Sequence, residues 1–459
     1  MANTALEHTT VSAGNRGVWT FSFWLKRSNT EDAQSFYSEK SDSNDFFSIS
    51  FTSGDQLEIQ NKDNGSNNLV YISTRVFKDL NAWYHIVFAY DSAQSSASDR
   101  FRVWVNGVAE TAWDASTLPA QGNTDIAVSK GSSGTYNPRV GKYDASTYYN
   151  GYMAQVLKVD GQSLAASNFG STDATTGEWK PKSDGEVRTA VTAGSGWGTT
   201  GWMLTFQNSS YPGYDYKTSD RSSNLDFTVG GDGFQSQTTP SNIFATGVSD
   251  FKYVSNFTWS AGNTTFINTG SWEAGYWNMA PTTGKWYFEA KLIAIGSGAM
   301  FGIASIDEVA QEYGNTGFNV GEGTYQYAYN GNGNKKSADS ETAFGNTYTT
   351  GDILGCAMDL DNGKIYFAKN GTWENSGDPT SGATGTGAAY SLTTGADYPY
   401  APSFATYGSG QWGVNTGEGY FGTTAVTSSN ADDAGLGLME YDVPTGYYTL
   451  CTKNIKTYG

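Results

Sequence analysis

The sequence predicts an all-β protein of two antiparallel β-sandwiches joined by an irregular connecting segment, and three observations predict it. Aromatic and β-branched residues alternate with polar ones over runs of four to ten residues, the period of a strand with one face in a core. Glycine is abundant, 56 residues against 10 prolines, and sits with Asn, Asp, Ser and Thr between those runs. There it supplies positive φ for turns, whereas in a helix it would cost about 1 kcal/mol per residue. The third observation is length. At 459 residues the chain fits two sandwiches of about 200–250 residues as well as three domains of about 150.

The runs justify this in order. Trp19, Phe21, Phe23 and Leu25 share one face of the first strand. Residues 46–51 and 56–60 follow as strands around the turn 52–55, and 83–90 is a third apolar run. Residues 100–105 lead into Asn106-Gly107, the pair that a type I′ hairpin turn favours because both central residues need positive φ. Residues 152–159 and 202–206 complete the first set. Residues 207–250 carry little apolar periodicity and read as an extension followed by a linker. The second set comprises 285–292, 301–304, 325–329, 351–360 and 364–369, with turns at 361–363 and Asn370-Gly371. Tyr325, Tyr327 and Tyr329 fall on one face of a strand and are assigned to the core.

Composition excludes several classes. The formal charge of −18, from 45 acidic and 27 basic residues, repels phosphate backbones, so no nucleic-acid partner is expected. No window of 18 apolar residues occurs, so no membrane insertion is expected, and the opening MANTALEHTT lacks the pattern of a secretory signal. Cys356 and Cys451 read as buried thiols rather than a disulfide framework, and His8 and His85 are too few for a histidine metal site.

The pieces WTFSFWLKR (19–27), WYHIVFAYD (83–91), RVWVNG (102–107) and GYMAQVLKVDG (151–161) together resemble the laminin-G, or concanavalin A-like, sandwich family over residues 10–230. NFGSTDATTGEWKP (168–181), GWMLTF (201–206) and the ending 446–452 are similar to virion proteins of marine tailed phages. GKWYFEAKL (284–292), FGIAS (301–305), YAYNGNG (327–333) and GDILGCAMDLDNGKIYFAKNG (351–371) resemble the SPRY family over residues 255–425. The resemblances imply a concanavalin-like sandwich with its extension at 1–235, a linker at 236–252 and a SPRY-like sandwich at 253–459. They also imply loop-borne recognition without catalytic residues.

Motifs of reactive chemistry are weak. Asp359-Leu360-Asp361-Asn362-Gly363 starts like a calcium-binding EF loop, but the twelfth position is Asn370 and strands flank it, so it reads as a hairpin. No cofactor is expected. The laminin-G resemblance leaves calcium open, with Asp63, Asp91, Asp160 and Asn106 as oxygen ligands, although no spacing singles out a site. Retaining glucanases need two carboxylates about 5–5.5 Å apart, an E-x-D pattern on a strand. Glu440-Tyr441-Asp442 alone fits, and Pro444 follows it with no third acid. No Gly-x-Ser-x-Gly sits between a strand and a helix. The chain is therefore expected not to be an enzyme.

The binding candidates are aromatics flanked by polar residues, since a ring can stack on a sugar while its neighbours hydrogen-bond the hydroxyls. They are Tyr148, Tyr149 and Asn150 in KYDASTYYNGY (142–152), Tyr214, Asp215 and Tyr216 in YPGYDY (211–216), Trp272, Tyr276 and Trp277 in SWEAGYW (271–277), and Trp373 after the Asn370-Gly371 turn. The alternative is that these rings cap sandwich ends or meet a neighbouring subunit. The function expected is a virion-surface adhesin of the tail-fibre type that recognises host polysaccharide. Weak sites would be multiplied by self-association and by attachment to other virion proteins. A structural decoration protein is the second expectation, and a glycan hydrolase the third.

Overall fold

The computed structural model describes residues 4–10, 12–131, 135–222, 225–249, 257–311 and 319–459. These divide in sequence, between Gln235 and Ser236, into two compact units.

The first unit is a sandwich of antiparallel sheets. One has eight strands in the order Trp113–Thr117, Ser66–Val76, Gln56–Asp63, Phe46–Phe51, Gln34–Lys40, Asn137–Val140, Ala5–Glu7 and Thr228–Gly230. The other has six, in the order Trp202–Leu204, Gly151–Asp160, Val18–Arg27, Tyr84–Asp91, Phe101–Val105 and Val108–Ala109. The alternation on Val18–Arg27 puts Trp19, Phe21, Phe23 and Leu25 against Phe36, Phe47, Ile49 and Phe51 of the facing sheet, all fully buried. The Asn106-Gly107 turn has φ of 49° and 77°, as its sequence requires.

The opposite face of the six-stranded sheet is also covered, which alternation alone does not show. The hairpin of Gly170–Thr172 and Trp179–Pro181 lies there with a helix, Asp184–Ala193, absent from the sequence reading. Ser183 and Glu186 cap that helix reciprocally, and Val187 and Val191 seat it on Leu157, Val159 and Val87. Under this cover His85 lies between Trp24 and Trp179, with ring centroids 4.5 and 6.0 Å away. Trp179 Nε1 donates to His85 Nδ1 at 2.9 Å, so the ring proton sits on Nε2, 2.8 Å from Ser22 Oγ. Burial pushes the His85 pKa down to about 3, and the ring is neutral. Two ion pairs are sealed in the same unit, Arg27–Asp55 at 2.8 Å and Lys158–Glu39 at 2.9 Å.

The second unit is a second sandwich. Its larger sheet runs Phe257–Ser260, Thr265–Asn268, Gln411–Asn415, Lys285–Ala294, Ile353–Asp359, Lys364–Lys369 and Thr372–Trp373, with Tyr390–Ser391 and Tyr448–Thr449 paired beside that path. Its smaller sheet runs Glu273–Tyr276, Tyr400–Tyr407, Gly298–Ser305, Gln326–Asn330, Asn334–Ser337 and Ser340–Ala343. Trp286, Phe288, Phe301, Phe367, Phe404 and Trp412 fill the space between them, with Tyr327 and Tyr329.

Much of the stretch read as a linker is ordered on this unit. Phe244 is buried and pairs with Cys451, Ala245 N donates to Leu450 O at 2.9 Å, and Thr452 N donates to Ile243 O at 2.9 Å. Apolar side chains at 244 and 245 account for the difference, because they complete a core that sequence periodicity cannot show. Residues 250–252 of the linker lie outside the described residues. The irregular stretch after Leu204 is organised by Asp215. Its buried carboxylate accepts from the backbone N–H groups of Met203, Lys217 and Leu225 at 2.8–2.9 Å.

Candidate functional site

Four of the ten residues singled out from sequence are packed inside the protein and offer no surface to a ligand. Trp277 is fully buried between Trp259 and Phe404, at 5.1 and 4.6 Å. Tyr276 is buried beside Ala304 and Val309, and Tyr149 packs edge-on to Phe36. Asp215 is the loop anchor described above. The reason is common to all four: a polar-flanked aromatic or acid on a short strand or tight loop has the same local signature as a rim residue.

The other six are half-buried. Tyr148 bridges Lys142 across a turn that the Asp144 carboxylate caps from Ser146 N and Thr147 N. Asn150 N donates to Gln34 Oε1 at 3.4 Å. Tyr214 has Tyr211 4.4 Å and the Arg221 guanidinium 3.5 Å from its ring centre, and Tyr216 has the same guanidinium at 5.8 Å. Their own neighbours thus already engage these rings. Trp373 stands edge-on to Tyr287 and Tyr366.

Trp272 differs, because its partner is exposed. It stacks on Tyr407, centroids 5.8 Å apart and planes 27° from parallel. Tyr407 is 41% exposed, and among the described residues only Tyr458 is a comparably exposed aromatic. Tyr458 lies flat on Tyr448 at 3.6 Å.

Three loops hold the Trp272–Tyr407 pair. Asn268 Nδ2 donates to Ser271 O and Thr406 O, both at 2.6 Å, and Asn268 Oδ1 accepts from Gly270 N at 2.9 Å. Gly408 N donates to Gly270 O at 2.8 Å and Ser297 N to Tyr407 O at 2.7 Å. Trp272 lies against Gly298 so closely that a Cβ there would sit 2.8 Å from the ring, so this glycine is required. Exposed Ser271, Ser297 and Ser409 rim the pair. The result is a rigid, uncharged aromatic surface edged with hydroxyls. Sequence reading missed Tyr407 because it ends a regular strand, Tyr400–Tyr407. The signal was the Gly408-Ser409-Gly410 turn, which lifts the last side chain of that strand into solvent.

One residue beyond Trp272, Glu273 is 3% exposed and its Oε1 has no hydrogen-bond partner among the described residues. Burial pushes its pKa up to about 7. Glu289 is fully buried and accepts from Tyr287 Oη, Glu440 N and Tyr441 N at 2.8–2.9 Å. Burial holds it too at about 7. Of the acids weighed for catalysis, Glu440 accepts from Thr427 N.

The oxygens weighed for calcium are not brought together. Asp63 pairs with Lys130, Asp160 accepts from Asn15 N and Thr200 N, Asp91 accepts from Ala93 N, and Asn106 accepts from His85 N. Asp359 accepts from Asn362 N at 2.9 Å and pairs with Lys285, a hairpin turn rather than a cation loop. Cys356 and Cys451 are buried and unpaired, their thiols pushed up by burial.

A profile of the concanavalin A-like lectin/glucanases superfamily matches residues 2–157, and a SPRY domain profile matches residues 285–393. The chain carries a concanavalin A-like domain and a SPRY domain. Ran-binding protein 9 of Danio rerio is 32% identical over 90 residues, 19% of this chain and 14% of that protein. Ran-binding protein 10 of Danio rerio is 31% identical over 90 residues, with the same shares. The chain thus spans about a seventh of the length of these relatives. The solved SPRY domain of human HERC1 is 16% identical with a TM-score of 0.28, covering 37% of this chain and 96% of that one. Another human SPRY domain is 18% identical with a TM-score of 0.26, covering 35% and 94%. None of the relatives named here is a virion protein. The SPRY domain supplies the Ile353–Asp359 and Lys364–Lys369 hairpin, whereas Trp272 and Tyr407 flank the matched stretch on either side.

Proposed function

We propose that this chain is a non-catalytic recognition protein that binds cell-surface polysaccharide, with Trp272 and Tyr407 as its stacking surface. The observation that carries the reading is that pair: an exposed ring backed by a second ring, uncharged and edged by serine hydroxyls, suits the apolar face of a neutral sugar ring. The two carboxyls raised toward neutrality, Glu273 and Glu289, are 3% and 0% exposed, which supports a role other than hydrolysis. The resemblance of residues 168–206 and 446–452 to phage proteins suggests the setting, a virion-surface adhesin held by other virion proteins and present in several copies. Multiple copies would convert weak single sites into firm attachment.

The test is a glycan array followed by titration of the best polysaccharide against the full chain and Tyr407→Ala. Micromolar binding weakened at least about tenfold by the substitution, roughly 1.4 kcal/mol, is expected. Absence of any glycan binding, or release of reducing sugars, refutes it. The SPRY match favours a second reading, in which the same rings contact a protein, either a partner or a neighbouring subunit. Burial of Tyr407 in a protein interface of an assembled particle would select that reading.

A further inference from the structure

Lys336 is buried on the strand Asn334–Ser337, and its ammonium does not face water alone. Its Nζ lies 3.1 Å from the side-chain oxygen of Asn319, which is itself 6% exposed. The amide nitrogen of the same Asn319 donates to Glu322 Oε1 at 2.7 Å, and that oxygen lies 3.9 Å from Lys336 Nζ. An amine, a primary amide and a carboxylate therefore form a closed triangle, with the carboxylate reaching both nitrogens. Asp339 Oδ1 also pairs with Lys336 at 3.0 Å, but Asp339 is 76% exposed, so water screens its hold.

The backbone fixes this triangle. Gly321 N donates to Gln326 Oε1 at 3.0 Å. Asp339 N donates to Gly321 O and Ala338 N to Gly323 O, both at 2.9 Å. Gly321 has φ of 96°, and a Cβ there would sit 2.8 Å from Lys336 O, so the loop is pressed onto the lysine. Ala338 and Asp339 both hold positive φ, 48° and 55°, as the two-residue hairpin turn between Ser337 and Ser340 requires. The two N–H groups of that turn also grip the loop. Val320, fully buried beside Met300, Ala328 and Ala405, nails the segment down. Reacting groups held in this way have already lost the freedom that makes a bimolecular step slow.

The geometry points to a self-formed amide cross-link between Lys336 and Asn319, with Glu322 as its acid–base catalyst. Glu322 takes a proton from the ammonium, and the freed Nζ lone pair attacks Asn319 Cγ. The new Nζ–Cγ bond forms as the Cγ–Nδ2 bond breaks. Glu322 carries two protons in turn from Nζ to Nδ2, and the nitrogen leaves as ammonium. Charge is conserved, nothing is oxidised, and no co-reactant is needed. The product ties the 319–323 loop covalently to the hairpin of Asn334–Ser337 and Ser340–Ala343.

Intact mass and a tryptic map of the full chain test this directly. The expected mass is that of the sequence less one ammonia, with a branched peptide joining Asn319 to Lys336. Lys336→Arg and Glu322→Gln should each restore the sequence mass. A wild-type chain at the sequence mass overturns the proposal even if neither variant folds. So does an ammonia loss that maps to succinimide at any of the Asn-Gly pairs, Asn64, Asn106, Asn150, Asn330, Asn332, Asn362 or Asn370. Cross-linking that persists in Glu322→Gln overturns the role given to Glu322.

Discussion

The two sandwiches bury some of their ionisable groups in contrasting ways. At three sites of the first the buried group is paired or uncharged: Arg27 meets Asp55, Lys158 meets Glu39, and His85 is kept neutral between two tryptophans. The second pairs buried Asp359 with Lys285 but leaves two other buried carboxyls without a cation. Glu273 has an oxygen with no partner, and Glu289 has only N–H and O–H donors. Two sheets enclosing similar aromatic cores can therefore respond to the same change of conditions with opposite sign. In both units the protein folds around the buried group, but at Glu273 and Glu289 the ordinary neutral-pH state does not suit the interior.

The sharpest way to break the comparison is to remove a cation from the first unit. Lys158→Met strands Glu39 and should cost about 3–5 kcal/mol, measured as loss of hydrogen-exchange protection in the strands Val18–Arg27 and Gly151–Asp160, with the second unit unchanged. Next comes the converse in the second unit. The Glu273 pKa is raised from 4.5 to about 7, so the folded state holds a proton that the unfolded chain releases. That favours folding below 4.5 and is lost as pH rises through 7. Glu273→Gln should raise stability at pH 8 by up to about 3 kcal/mol and change nothing at pH 4; equal effects at both pH values would remove the explanation.

Acidification alone sharpens the contrast further. His85 is lowered from 6.5 to about 3, so its contribution is complete above 6.5 and declines below it. From pH 7 to 5 the first unit should lose about 2 kcal/mol from this residue while Glu273 and Glu289 strengthen the second. Exchange rates compared strand by strand would show the two units moving apart. The smallest effect is at the surface: Tyr407→Ala should change stability by less than about 0.5 kcal/mol, read as an unshifted urea midpoint, while abolishing ligand stacking.

The fold was legible where large apolar residues recur at every second position of a strand. Val18–Arg27, Gln56–Asp63, Lys285–Ala294 and Lys364–Lys369 follow their alternation, and the Asn-Gly turns fall where the residues demand. It was less legible in what covers the second face of a sheet. The helix Asp184–Ala193 and the burial of Phe244 depend on partners distant in sequence. The candidate site was half legible. Trp272 was named, but Tyr407 was hidden in a strand, and Trp277 and Tyr276 were taken for loop residues although Tyr276 ends the strand Glu273–Tyr276 and Trp277 bridges to Gly247, both buried. Local composition reports that a ring sits near polar residues; which side of the sheet it faces is decided by register with a strand more than a hundred residues away.

The pairing of Ala5–Glu7 with Thr228–Gly230 has a mechanical consequence. Ala5 lies opposite Gly230 in an antiparallel ladder, so the chain enters and leaves the first sandwich at the same end of one pair of strands. Tension along the chain peels that ladder open one hydrogen bond at a time instead of shearing all its bonds together. In the second sandwich the backbone pairing of Ile243 with Thr452 and Ala245 with Leu450 has the same sense. Under load the first domain would yield at this seam first, lengthening the chain while the aromatic core stays shut.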